Sequence, residues 1–204
     1  MDAFEKVWPG VGIGGSMALD LVNTLDWRLR EAPVEQLHGF ADLLRWARTA
    51  GILATGEARS LRTWGQSHPR SARRALAEAI DLREAIAAVF QAVARGEGVS
   101  SAPLARLDIA CCQAWGMRTL RPAGDGAVWE WREMGPERPA MAAALDAARL
   151  LTSPEREHVR ECGDAQCGWL FVDSSRNRSR RWCNMQGCGN RNKVRRFYRR
   201  QHNP

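Results

Sequence analysis

The sequence has 204 residues and lacks any apolar run approaching the roughly 20 residues that a membrane-spanning helix needs. Its first residues, Met1-Asp2-Ala3-Phe4-Glu5, also lack the basic start and the apolar stretch of a signal peptide. It shows no internal repeat and no low-complexity segment. These absences argue against membrane and exported proteins, so we expect a cytoplasmic, globular protein with no membrane partner.

Acidic side chains are missing from the last part of the chain. Residues 174–204 contain ten basic side chains and no Asp or Glu, whereas residues 1–154 hold 18 basic and 18 acidic ones. Lysine is also scarce, since Lys6 and Lys193 are the only two. The positive charge is therefore carried by guanidinium groups, whose planar donors suit phosphate and guanine better than ammonium groups do. This charge predicts a polyanionic partner such as nucleic acid.

The first three quarters of the chain have mostly helical patterning. Alternating residues on both sides of a Gly-containing turn predict one small β-hairpin at 117–132. The glycines at 10, 12, 14 and 15 fit neither a dinucleotide nor a phosphate-loop motif, so we expect a turn there. Apolar periodicity and stop signals predict helices from Pro33 to Gly51, from Thr55, from Pro69 to Arg95, from Ser101 to Gly116 and from Pro139 to Leu151.

Four of the six cysteines form two pairs: Cys162 with Cys167, and Cys183 with Cys188. Each pair encloses four residues, and fifteen residues separate the pairs. Flanking glycines permit tight loops in which two sulfurs face one point, as a tetrahedral zinc site requires. A disulfide framework is the alternative, and the missing export signal disfavours it. Because four thiolates leave no position for water, we predict one structural, non-catalytic Zn²⁺.

The residues around the cysteines predict the rest of this module. The run 169–173 reads as a strand that returns through 179–182 as a hairpin, and a helix follows Cys188. Val194, Phe197, Tyr198 and Gln201 share one face of that helix, and arginines occupy the other. We expect Phe197 and Tyr198 to be buried; exposed aromatic residues on the basic face would instead favour single-stranded RNA, through stacking. Cysteine pair, hairpin, cysteine pair and helix make the order of a treble clef.

Two stretches resemble known families. Cys188-Gly189-Asn190-Arg191, preceded by the run from Trp169 to Met185, resembles the CGNR zinc-finger family. The stretches 19–25, 44–47 and 82–85 resemble the ABATE domain, which precedes this finger in bacterial proteins. The resemblance implies a stress-linked transcription regulator with a treble-clef DNA-binding module and a first domain suspected of binding an unidentified ligand.

The expected fold class is therefore α+β. A mostly helical first domain with a small β-hairpin, residues 1–152, is followed by a treble-clef zinc finger, residues 153–204. We expect the finger to bind DNA, with dimerisation through the first domain as a means of enlarging the footprint. The candidate DNA-binding residues are Arg176, Arg178, Arg180, Arg181, Arg191, Lys193, Arg195, Arg196, Arg199 and Arg200.

Other functions stay open or are disfavoured. An RNA-binding or protein-interaction finger is the alternative, because small four-cysteine modules serve all these roles. A nuclease is disfavoured, since no histidine lies between Cys167 and Cys183, and we expect no enzymatic activity. In the first domain, Asp20, Asn23 and Arg83 are polar residues among apolar neighbours, which makes them the candidate ligand-binding residues; a structural ion pair is the alternative for the charged ones.

Overall fold

A computed structural model describes residue 4 and residues 6–202 of the chain, without the side chains at 200 and 202. The strands pair in three separate antiparallel ladders, β1 with β2, β3 with β4, and β5 with β6. This arrangement confirms the α+β class. The elements in chain order are α1 (Met17–Val22), β1 (Leu25–Asp26), β2 (Val34–Glu35), α2 (Phe40–Thr49), α3 (Thr55–Ser67), α4 (Pro69–Arg95), α5 (Ser101–Gly116), β3 (Arg118–Ala123), β4 (Gly126–Trp131), α6 (Arg138–Thr152), β5 (Val159–Glu161), β6 (Leu170–Val172) and α7 (Asn190–His202).

The long helix α4 is the centre of the fold. Pro69 starts it at a position where the missing N–H costs nothing, and Gly96 ends it in the left-handed conformation with φ 69°. Leu82, Ile86 and Phe90 lie one turn apart and are completely buried. They pack in a core to which α1, α5, α6 and β5 contribute. Both predicted ends of this helix are confirmed.

The second helix begins later than the sequence predicts. It starts at Phe40 and not at Pro33, because Val34 and Glu35 pair with Leu25 and Asp26 as a short ladder. The helices predicted from Thr55, from Ser101 to Gly116 and near 139–151 are confirmed within a residue or two, and so is the hairpin of β3 and β4.

The pairing within the cysteine-rich segment differs from the prediction. β6 pairs with β5, which precedes the first cysteine, and not with residues 179–182, which form no strand. Those residues are held by other contacts: Asp173 accepts a hydrogen bond from the Arg180 amide, and Arg181 accepts one from the Gly163 amide. The predicted hairpin was therefore wrong, and the treble-clef topology stays a prediction.

The cysteine-rich segment packs directly against the helical part. Asn23 at the end of α1 bonds to both main-chain groups of Leu170 in β6, and the Val172 amide donates to Gly14. Val159 and Leu170 belong to the same buried cluster as the helices. In the part of the chain that the structure describes, no helix is long and apolar enough to cross a membrane.

Candidate metal centre and nucleic-acid interface

The four paired cysteines converge on one point. Cys162, Cys167, Cys183 and Cys188 are buried, and their sulfurs all lie within 4.8 Å of one another. A tetrahedral zinc ion bonded to thiolates at about 2.3 Å sets its sulfurs about 3.8 Å apart. The distances from Cys183 Sγ to Cys167 Sγ and to Cys188 Sγ, 3.7 and 3.6 Å, match that value. The residues fit one structural zinc ion, as predicted.

The four thiols shift one another's pKa values. Hydrogen bonds from Cys167 and Cys183 lower the pKa of the Cys162 thiol, while the same contact with Cys162 raises the pKa of Cys167. Burial raises the pKa of Cys188. The four thiols thus interact electrostatically, and zinc binding displaces their protons.

Arg191 connects the metal centre to its surroundings. Its Nη2 donates to Cys188 Sγ at 3.0 Å, its Nε lies 3.4 Å from the Asp164 carboxylate, and its guanidinium sits 4.2 Å from the centre of the Trp27 ring. A cation donating to a thiolate sulfur reduces the negative charge that four thiolates concentrate on one ion. Arg191 therefore ties a zinc ligand to a tryptophan of the helical part.

Asp164, between the first two cysteines, is completely buried and anchors α7. Its carboxylate accepts a hydrogen bond from Asn192 at 3.1 Å and lies within 3.5 Å of the guanidinium groups of Arg191 and Arg195. A buried carboxylate is stable only with such partners. Sequence analysis missed this residue, although an acidic residue enclosed by a cysteine pair beside an otherwise basic helix was a usable signal.

A second buried carboxylate organises the loop before Cys183. Burial alone would raise the pKa of Asp173, but hydrogen bonds from the Ser175 hydroxyl and amide and from the Arg180 amide lower it. The Arg180 side chain donates to the main-chain oxygens of Trp182 and Cys183 and lies over the Phe171 ring. Hydrogen bonds to Asp173 and from Arg180 therefore hold this loop in position, and they replace the strand pairing that was predicted here.

A basic groove runs between α7 and the first cysteine pair. It encloses about 480 Å³, and none of its lining residues is acidic. Trp182 supplies an aromatic wall, and Gly163 and Gly189 also line the groove. A Cβ at Gly163 would lie 3.0 Å from the Trp182 ring. Such a surface attracts phosphate groups. The basic residues lining it are Arg181, Lys193, Arg195, Arg196 and Arg199.

The helix α7 presents the opposite face from the one predicted. Its polar side packs toward the metal centre through Asn192 and Arg195, whereas Phe197 and Tyr198 are 58% and 56% exposed. The expectation that these two aromatic residues are buried was wrong. The buried Asp164 carboxylate supplies the reason, because only the polar face of the helix can satisfy it.

Two consecutive segments of the chain match known protein families. A model of the ABATE family, described as "Putative stress-induced transcription regulator", matches residues 15–154, and the CGNR zinc finger matches residues 158–201. The chain belongs to the ABATE family. Neither description is that of an enzyme, and the comparison with curated proteins gave no match. The resemblances to both families are thereby confirmed.

The basic residues predicted to contact DNA have different surroundings in this ABATE protein. Arg178, Arg180 and Arg191 bond to main-chain oxygens, a carboxylate or a cysteine sulfur inside the finger. Arg176 is exposed, and Arg195 takes part in both the groove and the Asp164 contact. The side chain of Arg200 lies outside the described residues. Arg181, Lys193, Arg196 and Arg199 form the exposed set that lines the groove.

The three candidate ligand-binding residues of the first domain have separate partners and do not converge. Asp20 accepts from the amides of Gly12 and Gly14, and burial raises its pKa to about 6. Asn23 bonds to Leu170, and Arg83 forms a two-pronged ion pair with Glu35, with both N–O distances 2.7 Å. Their ligand-binding role stays a prediction.

A different cavity of the ABATE protein lies between its two matched segments. It encloses about 400 Å³ and is walled by Ile13, Trp27 and Trp169 beside the zinc ligands. The Trp169 indole N–H is buried, with no hydrogen-bond partner among the described residues. Sequence analysis did not identify this cavity, because the residues forming it are far apart in the chain.

Proposed function

We propose that the protein binds DNA through its zinc finger and regulates transcription. The basic groove is the observation that carries this proposal, because five cations line it and no carboxylate faces into it. Four thiolates and one Zn²⁺ add a charge of only about −2. With 12 basic and 5 acidic side chains, residues 155–204 therefore stay positively charged when zinc is bound.

In this proposal the zinc ion is structural. It holds the two cysteine loops together, so that Gly163 and Trp182 on one side and α7 on the other form the walls of the groove. Arg181, Arg196 and Arg199 contact phosphates. These contacts fix the position of the finger on the nucleic acid but carry little sequence information themselves.

The test is selection from a random duplex DNA pool and a matched RNA pool by the zinc-loaded full-length protein over a salt series. A recurring DNA sequence retained near physiological salt supports the proposal. The double variant Arg196→Ala/Arg199→Ala should reduce the salt-dependence slope on duplex DNA by roughly two. Arg70→Ala/Arg73→Ala is the matched control, because it removes the same charge from exposed positions on α4. Equal effects of the two double variants would place the binding surface elsewhere.

Ligand sensing is a second candidate function, favoured by the cavity beside the zinc ligands. A small molecule held by Trp27 and Trp169 would touch both matched segments and so change how the finger is held. A thermal-shift screen of small aromatic compounds, followed by DNA-binding measurements with each hit, tests this idea. Ile13→Phe, which fills the cavity, should abolish the shift; unchanged DNA affinity with every hit would count against sensing.

A further inference from the structure

The helix α7 has two chemically different faces. Asn192, Arg195, Arg196 and Arg199 recur at intervals of three and four residues and line the basic groove. Val194, Phe197 and Tyr198 form a second stripe at the same intervals, and each is more than half exposed. This stripe, defined here as the aromatic stripe, is an apolar surface within a strongly basic segment.

The exposure of the aromatic stripe is energetically unfavourable in water. A buried aromatic side chain removes about 150–250 Å² from solvent, so two exposed rings forgo a large hydrophobic gain. The Phe197 and Tyr198 rings meet edge to face with centroids 6.0 Å apart. Most of the surface of both residues nevertheless stays exposed, so the pair offers additional contact area to a partner.

The surrounding charge determines which partner fits. Residues 174–204 contain ten basic side chains and no acidic one, so a second copy of α7 would be repelled. A nucleic acid supplies phosphates for the arginines and flat rings for the aromatic residues. Arg196 precedes Phe197 and Arg199 follows Tyr198, so each ring has a guanidinium on the neighbouring residue, about 100° around the helix. A nucleotide lying along the side of α7 can therefore reach a ring with its base and an arginine with its phosphate.

A closed duplex gives the aromatic stripe no open base face unless its base pairs are first unstacked, which costs a few kcal/mol per step. Its bases are stacked on one another, and only their edges are reached from the grooves. Aromatic side chains gain stacking energy from bases whose faces are open, and they do so with little regard to sequence.

We infer that the finger preferentially binds DNA with unpaired bases, such as a single strand or a locally melted duplex. Stacking serves RNA and DNA strands alike, so the choice of DNA is taken from the proposed function. Phe197 and Tyr198 stack on the bases while Arg196 and Arg199 contact the phosphates. This inference rests on the proposed nucleic-acid binding and specifies which form of DNA is bound.

Four probes that share one sequence test the inference. Each has about 20 nucleotides, a length that exceeds the footprint of a small module. They are closed duplex DNA, the same duplex with a central mismatched bubble, single-stranded DNA and single-stranded RNA. Fluorescence anisotropy with the zinc-loaded full chain near physiological salt should give about tenfold tighter binding to the bubble and the single DNA strand than to the closed duplex.

Substitutions test whether the aromatic stripe causes the preference for DNA with unpaired bases. Phe197→Leu and Tyr198→Leu keep an apolar side chain but remove the ring, and each should weaken single-strand binding about tenfold while leaving duplex binding nearly unchanged. Tyr198→Phe retains the ring and should bind normally. Trp129→Leu, which removes an exposed ring from β4, is the matched control. Zinc stoichiometry and circular dichroism verify that each variant is folded.

The outcomes separate this inference from the proposed function. Equal affinity for bubble and closed duplex, with the groove arginines still required, overturns the inference and leaves nucleic-acid binding in place. Binding to none of the probes overturns both. A clear preference for the RNA strand over the DNA strand overturns the assignment to DNA, and full single-strand affinity in both leucine variants overturns the role of the stripe.

Discussion

Replacing Asn23 by leucine tests whether this residue joins the two matched segments or binds a ligand. Its side-chain amide donates to the Leu170 carbonyl oxygen at 2.9 Å and accepts from the Leu170 amide at 3.0 Å. Leucine has a similar size but cannot form either bond. Because Leu170 is completely buried, both of its main-chain groups would lose their partner away from water.

The magnitude follows from these two groups. An orphaned buried polar group costs about 1–3 kcal/mol, so the pair should reduce the free energy of unfolding by about 2–6 kcal/mol. In a chain of this length, each kcal/mol lowers Tm by about 2–4 °C, so we expect a loss near 10 °C. Thermal unfolding followed by circular dichroism measures this loss, and Asn177→Ala at an exposed position is the control.

A fall of less than about 2 °C would refute this reasoning, because it would mean that the two bonds contribute almost nothing. If Asn23→Leu instead abolished binding of a small molecule while stability stayed normal, the residue would belong to a ligand site. A structural role of Asn23 therefore predicts a fall in Tm, whereas a ligand-binding role predicts loss of ligand binding with a normal Tm.

Three further outcomes are expected. Cys188→Ser should abolish stoichiometric zinc binding, measured by metal analysis of the purified protein, and should unfold α7; retention of one zinc per chain would exclude this ligand. Arg191→Lys should accelerate zinc transfer to a chelator severalfold, because a lysine ammonium group cannot contact Cys188 and Asp164 at the same time as the guanidinium does. The control Arg196→Lys should leave the transfer rate unchanged. Asp20 has a pKa raised from 3.8 to about 6, so it binds a proton more tightly in the folded state and destabilises the fold as pH rises through that range. The wild type should lose up to about 3 kcal/mol of stability there relative to Asp20→Asn in urea titrations, and parallel pH profiles would contradict the shift.

The helical part was largely predictable because its signals are local. Pro69 and Gly96 mark the two ends of α4, and the residues between them repeat with the helical period. The metal site was also predictable from the cysteine spacing, because the few residues between the two cysteines of each pair determine where the sulfurs point. The start of α2 was missed because a two-residue strand at Val34 has no periodicity to detect.

The features that were missed depend on contacts between distant residues. β5 has three residues, too few for an alternating pattern, and its pairing with β6 spans the first cysteine pair. The period of α7 identified an apolar and a basic face but could not decide which one turns inward. That choice depends on Asp164, which lies 26 residues before the start of the helix and is buried only after folding.

The bond between Asn23 and Leu170 also has a consequence for synthesis on the ribosome. The two residues are 147 positions apart, so at about 5–20 residues per second Asn23 emerges about 7–30 s before its partner. Throughout that interval the nascent helical part has an unpaired amide and an uncovered apolar patch where β6 will pack. The last quarter of the chain therefore supplies the partner that Asn23, in the first quarter, needs. A chaperone that covered the apolar patch would be most useful during this interval.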